Sequence, residues 1–529
     1  MTDIRLSAVI AFKLCISSFM VSTASQAMAV PQEELVISSP SGSWAGTVEE
    51  SIAVFKGIQF AQPPLGALRW EAPVALSPSP QVSSAKSFAP ACMQTPRIAD
   101  WYREMAEAFG GSSDGLENPV FSEDCLYLNV WAPAKLTDKK LPVYVWIHGG
   151  SNKSGWAYEP NYHGQQLAKQ GIVVVSIAYR MGAFGYISHP DLANQTAAAN
   201  FGLLDQVAAL QWIQKNIGTF GGDANRVTIG GESSGAANVS YLIASPLAEG
   251  FFHQAIHQSG GFQFSRPQSL QQHAELGTLL GDDLAANTID QLRQISATAI
   301  LDSANKVLDD HFFSAADDGY SLIDTPLSQL NSGEFSPVNL LIGTNGDEDL
   351  AYLDQNTSET DVILETAKLF PGSTERAAAA IADGSSPLEQ LDTITTAHGM
   401  LCPSLYLANR MAATGKQVWA YQFNQIRSGD EGQRLGAYHG VELPYVFDRH
   451  DSWLPTSDND KRLTEQVVAY WANFIKTGSP NTEGLFLWPQ YQAEQQQVIR
   501  LQTKLWSGAI PNRALCDILW AEYRSNNSH

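Results

Sequence analysis

Three uninterrupted apolar runs limit what this chain can fold into. They are "LPVYVWIHGG" (141–150), "GIVVVSIAY" (171–179) and "RVTIGG" (226–231). Apolar runs without polar alternation fit strands buried on both faces, the setting of a parallel sheet covered by helices. From Asn200 to Ile217 apolar residues recur at helical spacing. "VNLLIGT" (338–344) and "QVWAYQFN" (417–424) predict further strands, and residues 268–332 and 355–415 read as mainly helical. Strand alternating with helix predicts an α/β fold: a large, mostly parallel central sheet flanked by helices, with helical excursions. No repeat, low-complexity tract or charge block divides the 529 residues, so residues 30–529 are expected to form one domain.

The first 29 residues differ from the rest. Arg5 gives a basic start, Leu14 to Ala24 is mostly apolar, and Ala27-Met28-Ala29 has the small-x-small form of a cleavage site. This predicts a signal peptide cleaved after Ala29 and a secreted or periplasmic protein. The apolar run is shorter than the roughly 20 residues a membrane span needs, so no membrane anchor is expected. A net charge of −22 argues against nucleic acid and anionic membranes, both of which would be repelled. With Cys15 in the leader, Cys92, Cys125, Cys402 and Cys516 remain, which allows three pairings in an oxidising compartment. There is no CxxC pair, and His253 and His257 in "HQAIH" lack the glutamate of an HExxH zinc motif, so no metal is expected, and serine-based acyl transfer of the kind weighed below needs no cofactor.

The third run passes into Gly231-Glu232-Ser233-Ser234-Gly235 and then an Ala-rich stretch of helical character. This is either a plain turn or a strand-to-helix elbow that holds Ser233 out as a nucleophile. In the second case small residues are needed on both sides, and the helix start aims N–H groups at the charge that develops during reaction. A serine hydroxyl also needs a base, and the base an orienting acid. His439 in "GAYHGVELPYVF" precedes an apolar stretch, and Asp347, Glu348 and Asp349 follow a predicted strand at its carboxyl end, where active-site loops of parallel sheets lie. "HGGSN" (148–152) ends another predicted strand and could supply backbone donors for an oxyanion hole.

Together these segments resemble the type-B carboxylesterase family, which includes the cholinesterases, and its α/β-hydrolase fold. "FGGDANRVTIGGESSGA" (220–236) resembles its serine signature and "EDCLYLNV" (123–130) its second signature. "FKGIQFAQPPLGALRW", "AYRMGAFGY", "NFGLLDQVAALQWIQKNI", "AIHQSGG" and "WANFIKTGSPN" follow in family order. The resemblance implies hydrolysis of small-molecule carboxylic esters through an acyl-enzyme, with Ser233 as nucleophile, Glu348 as acid and His439 as base. It gives the oxyanion donors as the amides of Gly150, Ser151 and Ser234, and Glu232 an electrostatic role beside the nucleophile. It implies a Cys92–Cys125 disulfide, which leaves Cys402 and Cys516 as the second pair. Where the family often has a third glycine and then an aromatic residue, this chain has Ser151 and Asn152, which predicts a more polar acyl pocket. The insertion 96–120, with Trp101 and Tyr102, either lines the pocket mouth or packs as a surface helix. Some family members are non-catalytic adhesion modules, but those typically lose a triad residue, and here all three are present. The natural ester, the split between acyl and alcohol specificity and the oligomeric state are left open.

Overall fold

Alternating side-chain direction explains how the apolar runs are buried on two sides at once. In Leu141–Ile147, Val143, Val145 and Ile147 join one core cluster, while Tyr144 and Trp146 join another on the opposite face. The period of two along a strand makes this division unavoidable. Neither face can then meet water, and helices cover both.

The computed structural model describes residues 34–135, 139–264, 268–381 and 385–525. The predicted leader, residues 1–29, lies outside the described residues. Thirteen strands form the main sheet. In chain order these begin with β1 (Glu34–Ser39), β2 (Gly42–Glu49), β3 (Ile52–Gln59), β4 (Val82–Ser84), β5 (Tyr127–Pro133), β6 (Leu141–Ile147) and β7 (Val173–Ile177). They continue with β8 (Gly222–Glu232), β9 (Gln254–Gln258), β10 (Asn339–Asn345), β11 (Val418–Phe423), β12 (Gln497–Leu501) and β13 (Trp506–Ala509). The spatial order is β1-β2-β3-β5-β7-β6-β8-β9-β10-β11-β12-β13, with β4 beside β2. From β7 to β12 every pairing is parallel, and the flanking strands β1, β2, β3, β5 and β13 add antiparallel edges.

Register brings four strand ends to one edge. Gly231 pairs with Ile147 on one side and His257 on the other, and Gln258 pairs with Gly343. The loops after β6, β8, β9 and β10 therefore leave the sheet together. Helix α1 (Arg97–Ala108) belongs to the insertion, α2 (Phe201–Asn216) packs against the sheet, and α3 (Ser234–Ala244) follows β8 directly. His253 and His257, at and beside β9, are four residues apart along an extended chain, about 13 Å, too far to share one metal ion.

Two disulfides fasten peripheral segments. Cys92–Cys125 closes the insertion, and Cys402–Cys516 joins the helix Cys402–Ala413 to the last helix, Arg513–Ser525. No helix among the described residues is long and apolar enough to cross a membrane.

Candidate active site

The backbone at Ser233 departs from both strand and helix, with φ 54° and ψ −127°. Few non-glycine residues tolerate this region, so the turn needs room around it. A Cβ at Gly231 would lie 2.5 Å from the Gly235 carbonyl carbon, and one at Gly235 would lie 2.1 Å from the Ile147 carbonyl oxygen. Both glycines are therefore steric necessities. Gly230 answers a different constraint, since its Cβ would meet the Tyr144 ring and hydroxyl, the latter at 2.5 Å. Its smallness serves packing beneath the sheet and not the turn.

The expected carboxylate and imidazole meet beside this serine. His439 Nδ1–H donates to Glu348 Oε2 at 2.7 Å. Glu348 is fully buried, and its other oxygen accepts from Ser259 Oγ at 2.5 Å and from the Asn345 amide at 2.7 Å. Its neighbours are used differently. Asp347 accepts from the Ala437 amide at 2.7 Å, and the Asp349 amide donates to Asp392 at 3.0 Å. Of three consecutive acids, only Glu348 hydrogen-bonds His439.

His439 Nε2 lies 3.2 Å from Glu232 Oε1, a buried oxygen with no hydrogen-bond partner among the described residues. Burial alone would lower the His439 pKa, but the carboxylates of Glu232, Glu348 and Glu442 outweigh it and push it up to about 10. Burial, reinforced by the nearby acids and opposed by His439, pushes Glu232 up to about 8. Glu232 and His439 thus compete for one proton, and a neutral imidazole goes with a protonated Glu232. Glu442 is held by Gln258 Nε2 at 2.9 Å and Asn345 Nδ2 at 2.8 Å. Ser259, Asn345 and Glu442 carry this network, yet the sequence marked none of them for a role. Two signals were present: Ser259 sits with φ 53° at the end of a buried strand in "AIHQSGG", and Glu442 follows His439 by three residues.

The loop after β6 turns through left-handed backbone at three successive residues, Gly150 (φ 107°), Ser151 (φ 61°) and Asn152 (φ 51°). A Cβ at Gly149 would lie 2.9 Å from the Glu232 carbonyl and 3.0 Å from Ser233 Cβ, so the loop runs against the elbow. Among the described residues, the amides of Gly150, Ser151 and Ser234 donate to no protein acceptor. Three free donors beside one hydroxyl can hold a developing oxyanion. The expectation for Asn152 is overturned. Its side chain is 1% exposed and turns into the scaffold, donating to the Phe313 carbonyl at 3.0 Å and accepting from Asn238 at 2.9 Å. It braces the loop, while its own amide donates to Ser234 Oγ at 3.1 Å.

Ser233 and His439 line one cavity of about 860 Å³. The insertion supplies part of its wall through Arg97, Ile98, Trp101 and Tyr102 of α1, so it is both a packed helix and a pocket lining. Tyr102 also donates to buried Glu159 at 3.1 Å, which ties α1 to the loop after β6. Among the described residues no group of His, Cys, Asp or Glu could hold a metal ion.

The carboxylesterase family profile matches residues 33–514. The para-nitrobenzyl esterase of Bacillus subtilis (strain 168) is 32% identical over 495 residues, covering 89% of this chain and 95% of that protein. The acetylcholinesterase of Bungarus fasciatus is 33% identical over 89% of this chain and 83% of its own length. A solved PNB esterase superposes with a TM-score of 0.81 at 30% identity, covering 92% of this chain and 99% of that one. The chain belongs to the carboxylesterase family and is a carboxylic ester hydrolase of α/β-hydrolase fold.

Proposed function

We propose that the protein is an exported serine esterase in which Ser233, His439 and Glu348 act as nucleophile, general base and orienting acid. The observation that carries this reading is the 2.7 Å hydrogen bond from His439 to Glu348, on the wall of the cavity that also holds Ser233. With Nδ1–H committed to Glu348, the neutral imidazole carries its lone pair on Nε2, which lies 3.2 Å from Glu232 Oε1 and must turn to Ser233 Oγ to take the serine proton.

Ser233 Oγ attacks the ester carbonyl carbon as its proton passes to His439 Nε2. The amides of Gly150, Ser151 and Ser234 receive the carbonyl oxygen as it becomes an oxyanion. The imidazolium forms next to Glu348 and Glu232, so both carboxyl groups favour the state with charge on His439. Collapse expels the alcohol, which takes the proton from Nε2, and leaves Ser233 acylated. Water then repeats the sequence, with His439 as its base, and releases the acid and the free serine. Every step uses the chain's own residues and water.

The leader at residues 1–29 would deliver a single domain spanning residues 30–529 to an oxidising compartment, which agrees with two closed disulfides. Ser233→Ala tests the nucleophile assignment. The variant is expected to lose ester hydrolysis and to take up no organophosphonate at residue 233 by mass spectrometry. Turnover at the parent rate would refute the assignment.

A further inference from the structure

The cavity holding Ser233 does not end at the oxyanion loop. A second cavity of about 350 Å³ adjoins it, and Thr95, Arg97, Ser151 and Phe312 line both. The smaller cavity has apolar walls from Met181, Phe184, Leu301 and Phe313, and is lined by neither His439 nor Glu232. It therefore lies on the side of the oxyanion loop away from the group that must protonate the leaving alcohol. Ser233 does not line it either, so of the two cavities it is the larger that reaches the reacting atoms.

Arg97 stands where the two cavities meet. It is exposed at the start of α1, and its guanidinium touches only neutral acceptors. Nη2 donates to Ser151 Oγ at 3.1 Å and to the Gly150 carbonyl at 3.4 Å, and Nε donates to Ser154 Oγ at 3.4 Å. Among the described residues no carboxylate lies within ion-pair distance of it. Of the other charges around these cavities, Asp100 pairs with Arg103, Glu365 with Lys368 at 2.9 Å, and Lys153 with Asp309 at 3.6 Å, while Asp349 lines the larger cavity and Asp310 the smaller. Glu159, pushed up to about 7 by burial, is hydrogen-bonded to Tyr102 and the Trp156 amide. Glu104 lies two turns further along α1, about 10 Å from Arg97 along the axis, which is a full Debye length in ordinary salt. A guanidinium left without a counter-ion beside the reaction centre, in a chain of net charge −22, calls for an anion that arrives with the substrate.

We propose that Arg97 is a specificity-determining residue that reads a carboxylate on the acyl part of the ester, making short-chain dicarboxylic acid monoesters the preferred substrate class. This rests on Ser233 as the nucleophile. The carboxylate pairs with Arg97 across the mouth of the smaller cavity, and the acyl carbon stays between Ser233 and the free amides. Because Arg97 also hydrogen-bonds the Ser151 hydroxyl, recognition of the acyl end and placement of the oxyanion loop share one side chain.

The test compares mono-p-nitrophenyl glutarate with p-nitrophenyl valerate, two acyl groups of equal carbon number that differ in the terminal carboxylate. The parent enzyme is expected to have the higher kcat/KM for the glutarate monoester, with the preference shrinking as salt is added. In R97M the ratio of the two kcat/KM values should fall by roughly ten- to a hundred-fold, with R97K in between. As a second measurement, glutarate should inhibit valerate ester hydrolysis competitively and more strongly than valerate does, and R97M should remove that difference. An equal ratio in the parent and R97M proteins, or a salt-independent one, overturns the proposal. Organophosphonate labelling at Ser233 keeps the two readings apart. Labelling with an unchanged ratio overturns the role of Arg97 alone, whereas a parent protein that takes no label overturns the triad beneath it.

Discussion

Replacing Glu232 by Gln removes a charge and leaves the shape, so it isolates what this buried acid does to His439. At 3.2 Å a full charge pair is worth about 5 kcal/mol at an effective dielectric constant near 20, a ceiling of roughly 4 pKa units. Glu232 is itself pushed up to about 8 and shares its proton with His439, so only part of that ceiling applies and a shift of roughly 1–2 units is expected. The direction follows from the chemistry. His439 serves as a base only when neutral, and nearby carboxylates raise its pKa to about 10, which holds the acidic limb of activity at high pH. Without the Glu232 charge that limb moves to lower pH. The plateau should also fall, by about ten-fold or more, because the imidazolium formed in the transition state loses one of its two carboxylate partners. The assay is kcat/KM for a neutral ester across about pH 6 to 11 at constant ionic strength, where the limb reports groups of the free enzyme. A limb that stays in place or moves to higher pH in E232Q refutes the reasoning. Stability gives an independent check. The folded state holds the Glu232 proton up to about 8 while the unfolded chain releases it near 4.5, so this group's contribution is present at low pH and lost as pH rises between those values. The urea midpoint of E232Q should therefore fall less than the parent's over that window.

Three further outcomes are expected. Replacing Cys402 and Cys516 by Ala opens a closure of 114 residues and should cost about 4–5 kcal/mol in chemical denaturation, against about 3–4 kcal/mol for the 33-residue closure of Cys92 and Cys125. In D205A, the Arg180 guanidinium loses both 2.8 Å bonds while only 3% exposed, which should cost about 3–5 kcal/mol; the apolar pair R180M/D205L should recover part of this, and an unchanged urea midpoint in D205A would count against the buried pair. In G150A, the new Cβ would sit 2.0 Å from the Ser154 carbonyl, so the loop must move and kcat should drop by roughly a hundred- to a thousand-fold with less change in KM; a parent-like kcat would detach Gly150 from the oxyanion hole.

Continuous apolar runs were legible because burial on both faces leaves no polar position to confuse with a loop, and the strands they predicted form the sheet's centre. Ser233 was legible for a related reason. Its two flanking glycines answer a clash with Ile147 and with each other, and that demand lies within five residues of sequence. The segments that carry the family resemblance also have physical work to do. Arg69 of "ALRW" pairs through two 2.6 Å bonds with Glu123 of "EDCLYLNV", and the Trp70 indole donates to the Ala183 carbonyl in "AYRMGAFGY" at 2.7 Å.

What stayed hidden was direction. Asp347, Glu348 and Asp349 are chemically close, and it was the family resemblance, not their order, that singled out Glu348 for an imidazole 91 residues away. The choice is made where β9 and β10 end, where Ser259 and the Asn345 amide take one oxygen of Glu348 and leave the other for His439. Asn152 makes the same point in reverse. Its polarity is plain in the sequence, but left-handed backbone at φ 51° aims the amide group at Phe313 and Asn238, partners 161 and 86 residues away. Arg97, which does line the cavity, lies in an insertion where no residue pattern marks the face that meets the reaction centre. A residue's chemistry is written where it stands in the chain. Its bearing is set by the distant partners that saturate one side of it, so a side chain left unsaturated on the cavity side is where specificity for the substrate has to be sought.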